Sequence, residues 1–531
     1  MATYTYILFL SIIIAERLNF APLEMENTLL YSFLLFALST IMATIYQIFN
    51  RINKMKIAIT INILISFLLL LSPLLLALYA LNFDSKITKD SLYAIFQSNP
   101  NESYEYLKDF VKTEYIVIFF AMIFISFTLI YLQAKQLKEN KHVVYLLLLP
   151  TIFYLSSLYT LSSLLLPSFI IEKFEAYQHE IEMFREIQEK RATGEISFTA
   201  IKKAQGETYI VVIGESLNKN HMGVYGYKRK TTPSLSKIYN EGKILRFDNI
   251  YANHTHTMQV LSLALTEANQ YNKKDYYNSL SIIDILNQSD IETYWLSNQN
   301  MLGGWDNLVS VIAHSATHIT SINNSIGYTI TAQKYDGELI PKVQKILSKK
   351  SKKNRIIFVH LIGNHTTYST RYPKNYKHYP KNHHIDEYDN SILYNDHVVS
   401  SILKELQKQK GVLGFIYMPD HADDIDKNLG HGSAHFTFEM TEIPMLMYFS
   451  KEYQERYKNR YQTLSKNKNK LYSNDLFYDT LIGIFNIETK RYNKQYDLSS
   501  KAYQLNEKDA LVLHGKRPYE KKKSKNSSCL P

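Results

Sequence analysis

Cysteine is almost missing from this sequence, with one, Cys529, among 531 residues. A lone thiol excludes an intramolecular disulfide, so an exported domain must be held by its core and by any metal it binds. No fixed-period repeat is present, which excludes solenoids and repeat arrays. Basic residues are absent from Met1 to Tyr6, so a membrane anchor fits the start of the chain better than a cleaved signal peptide. Acidic residues are the minority charge: 49 against 60 lysines and arginines, a net +11. That balance suits anionic lipid head groups better than nucleic acid, and the lysine-rich run Lys516–Lys525 reads as a solvated tail.

What is abundant is apolar sequence before about residue 170. Five stretches, Tyr4–Ala15, Leu29–Phe49, Ile57–Leu81, Tyr115–Leu132 and Val143–Pro167, predict five membrane-spanning helices, the first being short for a span. Arg51, Lys54 and Lys56 follow the second stretch, and Lys135, Lys138 and Lys141 follow the fourth. Both loops are therefore expected in the cytoplasm, and everything after Pro167 on the far side, in the periplasm or outside the cell. An outward loop, Asn82–Thr113, reads as a partly helical interfacial segment or as a plain connector.

From Phe169 to Lys190, apolar residues recur at near-helical spacing among charges, predicting an amphipathic bridging helix. Gly194–Gly206 makes a polar hinge. Beyond it, Tyr209–Ile213, Thr293–Leu296, Ile356–Ile362, Val412–Met418 and Pro444–Phe449 are strand candidates alternating with helical or loop stretches. This alternation predicts an α/β domain with a mainly parallel sheet sandwiched by helices. The organisation expected is residues 1–168 as an all-α membrane bundle, 169–206 as bridge and linker, 207–490 as the soluble domain and 491–531 as a peripheral basic tail.

Potential ligands stand where predicted strands end, which is where open α/β sheets place their sites. Glu215 follows Tyr209–Ile213, His365 follows IIFVHLIG, and Asp420 with His421 follows GVLGFIYM. His431 lies in a flexible Gly-His-Gly stretch able to fold back over the site, whereas His360, inside its strand, reads as core. Thr257 ends NHTHT before a run of good helical composition, so its hydroxyl is expected near a helix N-terminus, as a cap or as an activated nucleophile. His254 and His256 are open between ligands and solvent-facing residues. Carboxylates, imidazoles and a hydroxyl around one divalent ion would make that hydroxyl reactive towards phosphorus.

The stretches GESLNKNHMGVYGYKRKTTP, NHTHT, GNHTTYSTRYP, YDNSILYND and PDH with its later GHG resemble, in that order, the phosphoethanolamine transferases of Gram-negative bacteria, which include lipid A-modifying and mobile colistin-resistance enzymes. The resemblance implies an alkaline phosphatase/sulfatase-like fold and one or two zinc ions. It implies zinc ligation by Glu215, Thr257, Asp420 and His421, a phosphoethanolaminated Thr257, and His365 and His431 contacting the phosphoryl group or a second zinc. It further implies a multi-pass inner-membrane enzyme with a periplasmic catalytic domain, phosphatidylethanolamine as donor, and lipid A or another surface glycan as acceptor, without nucleic acid. Ser98 and Glu102 fall where that family lines its donor site, although Ala94 replaces an asparagine there. The cysteines that flank the family's nucleophile loop are lacking, so the loop is expected either to be held less rigidly or to be held by packing around Leu261 and Leu265. WLSNQNMLGGWDN looks more like the branch modifying core sugars than the colistin-resistance branch.

A formylglycine sulfatase shares the broad fold but needs a C/S-x-P-x-R context, and none occurs near Thr257. A lipoteichoic-acid-type phosphoglycerol transferase would keep a similar metal site, with GYKRKTTP against it. A non-catalytic module binding lipid head groups is the alternative from a different class.

Overall fold

The computed structural model describes residues 113–136, 166–299, 308–323, 334–381 and 383–520, with isolated positions 52, 57, 60 and 91–93. Most of the expected spans, and the expected donor residues Ser98 and Glu102, lie outside the described residues. Among the described residues no helix is long and apolar enough to cross a membrane. The fourth expected span falls within helix α1, Thr113–Gln136, not all of whose side chains are described; Val117, Phe120, Phe124 and Ile125 are exposed on it. By compactness the chain divides into one unit of residues 1–96 and 106–177 and another of residues 97–105 and 178–531. The expected amphipathic helix is present as α2, Leu166–Ala192, with Ile181 and Phe184 buried and Ile171 exposed.

The second unit is built on a seven-stranded sheet. Its strands in chain order are β1 (Thr208–Gly214), β2 (Leu245–Phe247), β3 (Glu292–Ser297), β4 (His318–Ser321), β5 (Arg355–His360), β6 (Val412–Pro419) and β7 (Met445–Phe449). Across the sheet they run β2-β7-β6-β1-β5-β3-β4. Strands β6, β1, β5, β3 and β4 pair in parallel, and β7 runs against both β6 and β2. All five strands expected from sequence are present, and the sheet is mixed because Met445–Phe449 is reversed. Two short edge strands, β2 and β4, were not predicted: LRF and HITS carry no apolar run, since an edge strand need bury little.

The central strands are apolar on both faces because both are covered. Every residue of β1, β5 and β6 is buried, as expected where helices flank a parallel sheet. Ile210, Val212, Ile357, Val359, Phe415 and Tyr417 pack into one core with Leu235 and Ile238 of α3 (Pro233–Asn240). The same core takes Val343 and Leu347 of α5 (Ile340–Leu347) and Ile392, Val399 and Ile402 of α6 (His384–Gln407); α4 is the helix Thr257–Ala264. Alternate residues point the other way: Tyr209 lies 6.2 Å from the Tyr453 ring and 4.9 Å from that of Phe485.

Two of the quoted motifs meet as a clasp. Arg229 of GYKRKTTP donates to Asp386 and Asp389 at 2.8 and 2.7 Å, and Tyr227 donates to Asp389 at 3.0 Å. Asp396 of YDNSILYND accepts the Ser234 and Leu235 N–H groups at 2.9 and 2.8 Å, satisfying orphan donors at the start of α3. The tail expected to be peripheral is packed as far as Val512: Leu498, Tyr503, Ala510 and Val512 are buried.

Candidate active site

The ends of the three adjacent strands β6, β1 and β5 bring the expected residues together. After β1 the chain turns at once, with Ser216 in the left-handed region at φ 52, and this leaves Glu215 at the strand's end. Gly363, just past β5, lies so close that a Cβ there would sit 2.8 Å from both the N and O of Glu215. That approach, with φ 53, is the reason for glycine at this position. The Asn364 N–H donates to the Glu215 carbonyl at 3.0 Å, tying one loop to the other. After β6, Asp420 Oδ1 accepts the N–H groups of Ser216 at 3.2 Å and His421 at 2.7 Å.

Ligand atoms of Glu215, Asp420 and His421 lie within 4.8 Å of one another, all three residues being buried. His421 Nε2 is 3.3 Å from Glu215 Oε1 and 3.5 Å from Asp420 Oδ2. Thr257 opens α4, with His256 rather than Thr257 as N-cap and without a side-chain capping bond. Its Oγ1 donates to Glu215 Oε2 at 3.1 Å and lies 3.5 Å from His421 Nε2. Leu261 and Leu265, expected to hold this loop by packing, are buried.

Burial raises the Glu215 carboxyl above its ordinary value. Burial and then the neighbouring Glu215 charge push Asp420 up to about 7, while burial lowers His421. Asp420 Oδ2 is buried without a hydrogen bond. Two desolvated carboxylates facing each other, one with an unsatisfied oxygen, beside an imidazole and a hydroxyl form a donor set that fits a divalent cation such as zinc.

Further histidines gather beside this group. The His431 ring is 4.5 Å from His421 and 6.3 Å from His365, so the Gly-His-Gly stretch does fold over the site. His431 Nδ1 is 2.8 Å from Asp423 Oδ1. Burial alone would lower His431, but the Asp423 charge and hydrogen bond outweigh it and raise the imidazole. Burial drives His365 well below its ordinary value; its Nδ1 is buried without a hydrogen bond. His254 is buried with its ring 5.6 Å from that of His256, whose Nε2 is 3.2 Å from Ser433 Oγ; neither stands among the groups able to hold a metal within the described residues. His360 is core, 3% exposed against Trp295.

Three residues at the site escaped sequence reasoning. Asp423 joins His421 and His431 in a second potential ligand group and accepts the Tyr368 hydroxyl at 2.5 Å; the run PDHADD was its only signal. Gln299 donates to Glu215 Oε2 at 3.3 Å and to the Leu361 carbonyl at 3.1 Å. Ser216 Oγ donates to Glu215 Oε1 at 2.8 Å.

Residues 207–487, more than half of the chain, match the Sulfatase family. The phosphoethanolamine transferase EptC of Escherichia coli K12 is 25% identical over 417 residues, covering 71% of this chain and 72% of that protein. A crystal structure of the E. coli EptC periplasmic domain in complex with Zn superposes with a TM-score of 0.55 at 25% identity, over 61% of this chain and 96% of that one. The integral membrane lipooligosaccharide phosphoethanolamine transferase A of Neisseria meningitidis shares the fold over 93% of this chain and 97% of its own, with a TM-score of 0.60 at 17% identity. By the family match the chain belongs to the sulfatase family, and its homologues include proteins named phosphoethanolamine transferases.

Proposed function

We propose that this protein transfers phosphoethanolamine from phosphatidylethanolamine to a surface glycolipid or glycan, such as lipid A or core oligosaccharide, through a covalent intermediate on Thr257. The observation that carries the reading is the Thr257 hydroxyl lying between Glu215 Oε2 and His421 Nε2. Glu215, Thr257, Asp420 and His421 are the residues that would hold zinc, which when bound supplies a Lewis acid that lowers the pKa of the threonine hydroxyl.

The protein's own groups then account for the proton and the charge. The Thr257 proton leaves along its hydrogen bond to Glu215 as Oγ1 attacks phosphorus. The Oγ1–P bond forms, the bond from phosphorus to the diacylglycerol oxygen breaks, and that oxygen departs protonated. Asp423 fixes His431 with Nδ1–H engaged, so its Nε2 is the atom that meets the phosphoryl group or supplies the proton. His365, beside it, serves the phosphoryl group or a second zinc. In the second half an acceptor hydroxyl or phosphate oxygen attacks phosphorus, a hydroxyl's proton passing to the His431 Nε2 that gave one up, while the Oγ1–P bond breaks and Thr257 takes its proton back from Glu215.

The five apolar stretches support an inner-membrane anchor over residues 1–168, a bridge over 169–206 and a periplasmic catalytic domain from 207. Anchoring would hold the site beside its lipid donor, an effective-concentration gain. Ser98 and Glu102 are proposed for the donor-lipid site.

Mass spectrometry of the full-length protein incubated with phosphatidylethanolamine tests the reading. A phosphoethanolamine adduct is expected on the peptide carrying Thr257, and Thr257→Ala should abolish adduct and transfer while retaining zinc. Transfer persisting in Thr257→Ala would overturn the assignment, and comparison of lipid A and core oligosaccharide from cells with and without the protein identifies the acceptor.

A further inference from the structure

The segment after residue 510 reaches the site by a costly backbone route. Leu511–Val512 and Arg517–Pro518 pair as a short antiparallel ribbon. Between them Leu513, His514 and Gly515 are all left-handed, with φ 56, 56 and 79. Glycine accepts this region freely; histidine enters it more often than most residues, whereas leucine does so only at a cost. Such strain persists only where surrounding contacts hold it, and it points to a use.

The turn delivers contacts to both ends of the Thr257 loop. The N–H groups of Leu513 and His514 donate to the Asn253 carbonyl at 2.6 and 3.4 Å. The His514 Nε2 lies 2.8 Å from the Gln259 carbonyl, and its ring is 5.0 Å from that of His254. Gly515 N–H donates to Gln270 Oε1 at 2.9 Å, and Gln270 Nε2 donates back to Leu511 O at 2.9 Å. Tyr519 stacks on Tyr251 at 4.3 Å. Asn253 and Gln259 bracket Thr257, and α4 has no side-chain N-cap of its own. The ribbon also holds the loop that follows His431, since the Arg517 guanidinium lies over the Phe436 and Phe438 rings at 5.2 and 5.3 Å.

We propose that residues 511–519 form a clamp on the Thr257 loop, with His514 as a positioning residue that acts through Gln259 and Asn253. In a chain with one cysteine, this non-covalent clasp does the bracing that a crosslink would otherwise do. The consequence for rate rests on the reading of Thr257 as nucleophile; the consequence for backbone order does not.

Hydrogen exchange of the full-length protein in detergent separates the two. In His514→Ala, amides 253–259 should exchange about ten-fold faster while β1 keeps its protection. His514→Gln, whose amide reaches the same carbonyl, should restore it. Formation of the Thr257 adduct should slow in His514→Ala, with KM for phosphatidylethanolamine unchanged, and recover in His514→Gln. Unchanged exchange at 253–259 in His514→Ala would overturn the clamp. Should His514→Ala lose protection across the whole sheet, Tyr519→Ala, which removes the ring stacked on Tyr251 and set edge-on to Phe438, is read by the same criteria. A wild-type protein that forms no adduct, while the variant still loosens the loop, would sink the transfer reading and uphold the clamp.

Discussion

The carboxylate of Asp423 lies 2.8 Å from Nδ1 of His431 and takes the Tyr368 hydroxyl on its other oxygen at 2.5 Å. Asp423 itself is held below the ordinary carboxylate range: burial would raise it, but the His431 charge and its hydrogen bond outweigh that. One anion therefore fixes both the orientation and the charge of the imidazole over the site.

Asp423→Asn keeps the shape but removes that charge. Transfer should fall about 10- to 100-fold, as is usual when the partner of a functional histidine is lost, with the fold intact. Steady-state rates beside a thermal melt check this, and an unchanged rate would take Asp423 out of the mechanism.

Asp420→Asn should move metal affinity and metal-free stability in opposite directions. Zinc stoichiometry, measured after dialysis, should drop, since a charged ligand is gone. In chelator the variant should melt above wild type at neutral pH and above, because the burial and then the Glu215 repulsion that push Asp420 up to about 7 no longer act on a charge, at about 1.4 kcal/mol for each unit of that shift. Full zinc occupancy in the variant would rule Asp420 out as a ligand.

Gly363→Ala should be damaging beyond its size. The added carbon would meet Glu215 backbone atoms at 2.8 Å in a left-handed conformation, costing about 1–3 kcal/mol. Because the atoms pushed belong to Glu215, activity should fall more than the thermal midpoint implies; a stable, fully active variant would contradict the packing described.

His360 predicts an acid-sensitive core. Burial lowers it from 6.5 to about 4, so the folded protein keeps it neutral while the unfolded chain takes up a proton below about pH 6.5. Its contribution is full above that value and is lost as pH falls towards 4, up to about 3 kcal/mol. His360→Phe should therefore lose less stability than wild type between pH 7 and 4.5, as read from denaturation at each pH. Parallel losses in both proteins would refute this.

Much of the site was legible because it follows from local pattern. A continuous apolar run bounded by glycine specifies a buried strand, and the next residue must stand at the sheet's edge. Glu215 and Asp420 with His421 could thus be located from the sequence, and the structure brings their ligand atoms within 4.8 Å. Asp423 was not legible, since one aspartate among several in PDHADD becomes special only by meeting His431. Gln299 was quoted within a motif, but its reach to Glu215 depends on β3 and β1 lying on either side of β5.

Strand identities, the helical setting of Thr257 and the family were therefore written in the order of residues, because hydrophobic periodicity and turn chemistry act over a few positions. The reversed direction of β7, the partner of His431 and the grip of His514 on Gln259, 255 residues away in sequence, were decided only by folding. A short polar segment carries no periodic signal for its partner, and its hydrogen bonds exist only once the sheet has brought distant loops to one edge.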